Sequence, residues 1–168
     1  WIESHFVSKV YDRNGKLIFE YEPKKRQAVT AETAFLMTYM LRGGTEEVGG
    51  TSQALFEFDL FKGNNQIGGK TGTSQSYSDG WFVGMTKDLV VASWVGADQR
   101  KVRFRTSQTG EGSKTALPIA GEFLELAYKD VFKFGPFPDP TVKISKGYNC
   151  RTIVKKVEVD SLEILEEE

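Results

Sequence analysis

Cysteine and histidine are almost missing from this 168-residue chain, and each shortage removes a chemistry. A single cysteine, Cys150, can form no internal disulfide, so cysteine usage does not fix the redox compartment. No histidine lies near it in sequence, and it reads as a small packed or incidental thiol instead of a nucleophile. His5 is the only histidine, which excludes Ser-His-Asp catalysis and any multi-histidine zinc site. Charge of one sign is also lacking. A formal net charge of −1 and a pI near 6.0 give no electrostatic reason to expect nucleic acid or an anionic membrane surface. No apolar run approaches the ~18 residues of a membrane span, and no signal peptide is visible. Internal repeats and low-complexity linkers are absent as well. What is present, 39% hydrophobic and 12% aromatic residues, suits a globular chain with enough length for a real core, and one domain is the default.

The stretch Ile67-Gly-Gly-Lys-Thr-Gly-Thr-Ser74 organises the rest. Gly68 and Gly69 let another backbone approach closely, and a fixed cation (Lys70), two hydroxyls (Thr71, Thr73) and Gly72 follow. Such a line can hold a carboxylate by charge and by hydroxyl donors, with backbone N–H groups beside it. A phosphate-binding P-loop is excluded. With Lys70 as its lysine the first glycine would fall at residue 64, which is Asn64, and Gly63 is one place out. A helix should follow a P-loop, whereas here Asp79-Gly80 signals a turn into two strand-like runs. The plain alternative is a Gly/Thr/Ser-rich hairpin with a surface lysine, since Lys-Thr-Gly alone is common.

In chain order, Val7–Tyr11 and Leu17–Tyr21 flank Asp12-Arg-Asn-Gly15, a hairpin signal over residues 6–21. The basic run Lys24-Lys25-Arg26 reads as a solvated turn. Thr30–Leu41 reads as a helix capped by Thr30 and ended by Gly43-Gly44. Phe35, Leu36, Met37, Met40 and Leu41 form its core face. Ala54–Phe61 fits a helical turn or a short strand, and periodicity does not decide between them. Gly63-Asn-Asn65 turns the chain into a predicted antiparallel meander with strands at about 66–74, 80–86 and 89–96. Leu89–Val95 is nearly continuous in apolar character, which predicts a strand covered on both faces. Trp81 and Phe82 read as packing under the motif strand. Residues 98–114 read as a loop and Thr115–Val131 as a second helix, with Pro118 tolerated in its first turn. Pro136, Pro138 and Pro140 mark a boundary. Beyond it 141–144 and 152–159 could be strands, and Glu163–Glu168 reads as a frayed end.

Lys70-Thr-Gly-Thr73 in a strand, followed by Ser78-Asp-Gly-Trp-Phe-Val-Gly84 and a Val-rich strand, resembles the third active-site motif of penicillin-binding proteins. Further residues carry the resemblance to the transpeptidase domain of class A, bifunctional enzymes over about residues 6–138. They are Tyr39-Met-Leu-Arg-Gly-Gly-Thr45, Val48-Gly-Gly-Thr51 and Gly110-Glu-Gly-Ser-Lys-Thr-Ala-Leu-Pro118. The resemblance implies an α+β fold, an antiparallel meander packed against helices. It also implies serine acyl transfer: a serine attacks the penultimate D-Ala carbonyl of a peptidoglycan stem peptide, and the acyl group then passes to an amine of a neighbouring stem. β-Lactams are trapped as acyl-enzymes. Lys70 and Thr73 carry over as catalytic residues. Lys70, Thr71, Gly72 and Thr73 carry over as the substrate-binding wall, and the Thr73 N–H as an oxyanion donor. No metal and no cofactor are implied. The implied setting is a membrane-anchored parent at the extracytoplasmic face of a bacterial inner membrane, with a glycosyltransferase domain.

The departure from the family is large. No serine in the chain has lysine three places on or asparagine two places on, so the nucleophile, its base lysine and the Ser-x-Asn motif are missing. The simplest expectation is the C-terminal part of a transpeptidase domain over 1–138, inactive alone and partnered by the upstream part of the same domain, followed by a tail at 139–168. A non-catalytic binding module for D-Ala carboxylates or β-lactams is the alternative, and a ligand-free interaction module with a hairpin remnant is a third. In the family the motif strand is an edge and the strand matching Leu89–Gly96 is internal. Its missing neighbour predicts self-association through 89–96, or recruitment of the 6–21 hairpin or the tail beyond 140 to that edge.

Overall fold

A computed structural model describes residues 1–145, 147 and 148. Two short strands come first, β1 (Lys9–Tyr11) and β2 (Leu17–Glu20), paired antiparallel with a bulge between Val10 and Tyr11. Their turn is fixed by Asp12, whose Oδ1 accepts the N–H groups of Asn14 (2.8 Å) and Lys16 (2.9 Å). The expected hairpin is therefore present, but every residue of both strands is exposed.

Helix α1 (Ala31–Glu46) starts where the sequence places it. Thr30 Oγ1 accepts the Thr33 N–H at 3.1 Å. It does not stop at Gly43-Gly44; it runs through both glycines to Glu46. Gly44 serves close approach instead of termination: a Cβ there would stand 2.5 Å from the Gly69 carbonyl oxygen. Two residues of its expected core face are also on the outside, for Met37 and Met40 are 50% and 69% exposed while Phe35, Leu36 and Leu41 are half-buried. The ambiguous 54–61 segment is a 3-10 turn over Gln53–Glu57, which buries Leu55, and then an irregular stretch that buries Leu60.

The main sheet has the order β3 (Gly68–Thr73), β4 (Asp79–Met85), β5 (Val90–Gly96), all antiparallel, as the meander predicts. Its register sets two faces. Thr71, Phe82 and Ser93 lie side by side on one, with Thr73, Gly80 and Val95 next to them. Lys70, Val83 and Ala92 share the other with Gly72, Trp81 and Trp94. The first face packs on helix α3 (Ala116–Asp130), which follows a short helix α2 (Ser107–Gly110) within the predicted loop. Phe82, Ile67, Leu55, Leu60, Ala116, Leu117, Ala120, Leu124 and Tyr128 form the core there, and Ser93 Oγ donates to the Ala116 carbonyl at 2.7 Å.

Three expectations fail at this sheet. β5 is not covered on both faces: Val90, Ala92 and Trp94 are exposed, because among the described residues only the α3 side has a layer against it. Trp81 does not pack under the motif strand as Phe82 does; alternation turns it to the open face, 46% exposed, beside Trp94 at 6.2 Å between rings. The hairpin does not extend the sheet either, since β1 and β2 pair only with each other and β5 has no second neighbour among the described residues. Residues 141–144 form no strand, and 152–159 lie outside the described residues.

Candidate functional site

β3 is an edge strand, and its outer edge is closed along one half and open along the other. Ser74 N donates to the Asp79 carbonyl at 3.0 Å, which fixes the phase of the ladder. With the regular register, Lys70 and Gly72 then direct their backbone polar groups at β4, while Ile67, Gly69, Thr71 and Thr73 direct theirs outward. In the first half α1 covers that outward row. The buried Thr45 hydroxyl donates to the Ile67 carbonyl at 2.7 Å, and Gly44 lies against the Gly69 carbonyl. In the second half the row at Thr71 and Thr73 opens onto a cavity of about 670 Å³.

The cavity has three further walls. Gly50, Thr51, Gln53 and Ala54 line one side, and the segment is tied to α1 by Ser52 N donating to the Gly44 carbonyl at 2.8 Å. The β3–β4 link contributes Ser74–Tyr77, and the α2–α3 link contributes Glu111, Ser113 and Lys114. Gly112 seats that last link under the sheet. Its N–H donates to Thr73 Oγ1 at 3.0 Å, and a Cβ on it would stand 2.5 Å from both the Gly72 and Trp81 carbonyl oxygens. Because Thr73 Oγ1 accepts from Gly112, its own O–H is left to donate elsewhere.

Of the residues the sequence singles out, Thr71 and Thr73 line the cavity, and Lys70 and Gly72 do not. Lys70 starts from the opposite face, yet its ammonium bends back to the same outer edge, donating to the Thr71 carbonyl at 2.8 Å and lying 3.5 Å from Thr71 Oγ1. Gly72 sits behind the edge, over Gly112. One cation, two hydroxyls and two outward N–H groups thus meet along one short length of strand, an arrangement suited to an anionic, carbonyl-bearing ligand. Among the described residues no cluster of three His, Cys, Asp or Glu side chains could hold a metal ion, and no helix is long and apolar enough to cross a membrane.

Sequence reasoning missed the anchor of the β3–β4 link. Asp79 accepts from Ser74 Oγ (2.8 Å) and Ser78 Oγ (2.9 Å) on Oδ2 and from Trp94 Nε1 (3.2 Å) on Oδ1. The serine hydrogen bonds lead in holding its carboxyl below the usual aspartate range, with smaller help from Trp94 and Arg100 against a desolvation that opposes them. An aspartate depressed in this way stabilises the fold above its unfolded value and loses that contribution as pH falls through the lower folded one. The cavity's far walls were also missed as walls, although their glycine-rich stretches are among the residues that carry the family resemblance.

Comparison with known proteins identifies the family. Residues 2–125 match the model of the penicillin binding protein transpeptidase domain. Penicillin-binding protein 1A of Rickettsia conorii is 30% identical over 99% of this chain and 24% of its own length. The protein of that name from Neisseria gonorrhoeae is 32% identical over 76% of this chain and 16% of its own. A crystal structure of penicillin-binding protein 1A from Haemophilus influenzae superposes with a TM-score of 0.64 at 26% identity, covering 83% of this chain and 25% of that one. The chain thus spans a quarter or less of the length of these relatives. With its α+β architecture and its Lys-Thr-Gly strand at the sheet edge, the chain belongs to the transpeptidase family of the class A penicillin-binding proteins.

Proposed function

We propose that residues 1–138 supply the Lys-Thr-Gly wall of a peptidoglycan D,D-transpeptidase active site, with the nucleophilic serine and its lysine on upstream polypeptide of the same domain and residues 139–168 as an appended tail. The observation that carries this reading is the open half of the β3 edge, where the Lys70 ammonium, the Thr71 and Thr73 hydroxyls and two outward N–H groups meet beside a cavity. Lys70 and the hydroxyls of Thr71 and Thr73 receive the terminal carboxylate of a D-Ala-D-Ala stem peptide or of a β-lactam. Gly72 lies above Gly112, whose own lack of a Cβ lets the α2–α3 link seat below the strand. Thr73 N–H donates to the carbonyl oxygen as the serine adds to the carbon, a contact whose loss typically costs about 2.7–4 kcal/mol in the transition state. The reaction belongs at the extracytoplasmic face of the membrane, where stem peptides are exposed, and a glycosyltransferase domain in the parent fits class A.

Lys70→Ala in a longer chain that includes upstream Ser-x-x-Lys and Ser-x-Asn motifs tests the reading. Acylation by a fluorescent penicillin should slow at least about a hundredfold with the fold intact, since an exposed strand lysine contributes little to stability. An unchanged acylation rate in folded protein refutes it. The 168-residue chain by itself should gain no mass on incubation with benzylpenicillin, because a serine hydroxyl without an activating base is a weak nucleophile. An adduct on Ser74, Ser76 or Ser78 would count equally against the assignment. A second reading, a non-catalytic receptor for D-Ala carboxylates or β-lactams, draws on the same edge, since the Lys70 ammonium and the Thr71 and Thr73 hydroxyls can hold a carboxylate without a nucleophile. Reversible binding, with no gain of acylation when upstream sequence is added, would select it.

A further inference from the structure

We propose that Asp79 is a positioning residue for this site: it holds the β3–β4 link in a strained shape and thereby sets where the Thr73 hydroxyl and N–H stand at the strand edge. The inference rests on the carboxylate-binding reading of that edge and adds a residue the motif does not contain. Five hydrogen bonds converge on residue 79. Its carboxylate takes those from Ser74 Oγ, Ser78 Oγ and Trp94 Nε1, its N–H donates to Ser74 Oγ at 2.8 Å, and its carbonyl accepts from Ser74 N at 3.0 Å. The link so clamped contains two residues in the left-handed region, Ser76 at φ +60° and Tyr77 at φ +56°, and neither is glycine. Such conformations persist only where the surroundings over-determine them. Here the Asp79 network fixes both ends of the link, while Phe104 N donates to the Tyr77 carbonyl at 3.2 Å and Gly110 packs against Tyr77 Cβ. The same link, Ser74 to Tyr77, is a wall of the cavity, and Thr73 immediately precedes it.

The clamp also reaches across the sheet. Trp94 comes from β5, so the carboxylate ties the turn at one edge to the strand at the other. On the opposite side Thr73 is tied to Gly112. Thr73 is thus held between two anchors, and release of the Asp79 anchor should let it shift relative to Lys70 and Thr71 without unpacking the core, which lies on the α3 side of Phe82. A plain turn cap would stabilise the protein but leave ligand recognition as it is. A positioning residue changes recognition in step with the link.

Titration of the ¹⁵N-labelled 168-residue chain with diacetyl-L-Lys-D-Ala-D-Ala, with NMR of the free protein alongside, tests this. Asp79→Ala should move Ser76 and Tyr77 out of positive φ, as read from backbone shifts and couplings. It should weaken the cross-peak between Thr73 and the Gly112 amide, lower peptide affinity at least about tenfold, and leave the α3 resonances in place. Asp79→Asn keeps one acceptor for the serines but points an amide at the Trp94 N–H, so Asp79→Asn with Trp94→Phe should bind closer to wild type than Asp79→Asn alone. Ser78→Ala, which removes a single donor, should fall between wild type and Asp79→Ala, and it carries the test if Asp79→Ala does not fold. Folded variants that keep positive φ at Ser76 and Tyr77, or that change the link while affinity is unaltered, overturn the proposal. A wild-type chain that binds no peptide counts against the carboxylate reading, and in that case the φ values and the Thr73–Gly112 cross-peak still decide whether Asp79 positions Thr73.

Discussion

The two faces of the β3–β5 sheet are built from the same kinds of residue and have opposite surroundings. On the α3 side Phe82 is fully buried, and Val91 and Val95 pack against the core. On the other side Trp81, Val83, Val90 and Trp94 stand 43–68% exposed, with α1 reaching only the start of β3 near Gly68. Burial here is decided by which layers exist, not by the apolar character of the strand. An exposed patch of this kind marks a surface that associates with something.

The largest expected effect breaks the buried face. Phe82→Ala should destabilise the chain by about 3–5 kcal/mol, read from urea midpoints, because it opens a cavity in the core that Phe82 shares with Leu117 and Leu124. A loss below about 1 kcal/mol would mean that the core lies elsewhere. Next, Gly112→Ala forces two carbonyl contacts and should cost about 1–3 kcal/mol while displacing Thr73. Chemical-shift changes at Thr73 that stay at background level would contradict the seat described for that loop. The smallest effect lies on the bare face, where Val90→Lys should change stability by no more than about 0.5 kcal/mol. That face adjoins the β5 edge, which has no partner strand among the described residues, and the chain should self-associate through it. Light scattering should show a drop in apparent mass for Val90→Lys and for Ala92→Pro, which deletes a ladder donor. A monomeric wild type removes that expectation.

Much of the fold was legible. Asn-Gly between alternating runs located the hairpin, the Thr30 cap located the start of α1, and the apolar stripe from Leu117 to Tyr128 located α3. The Lys-Thr-Gly strand and its place in a meander were legible too. What escaped depends on partners distant in sequence. Gly43-Gly44 reads as a helix stop because a glycine that ends a helix and one that admits a neighbouring carbonyl are the same letter. The near-continuous apolar run of β5 predicts two covered faces, but no periodicity reports that a covering layer is missing. Thr73 and Gly112 lie 39 residues apart and Ser74 and Trp94 are joined only through Asp79, so the cavity's walls become visible only once the strands pair.

The half-closed edge of β3 also has a signature in time. Amides turned toward β4, at Lys70 and Gly72, sit in a ladder and should trade their protons for deuterium only when that ladder opens. Those of Thr71 and Thr73 face the cavity and should trade them far sooner, while Gly69, on the same outward row but roofed by Gly44, should be slow again. Read along the strand, the rates would alternate through the motif and fall silent where α1 begins. The fast positions would then mark, residue by residue, the stretch of edge that the cavity leaves open to a ligand.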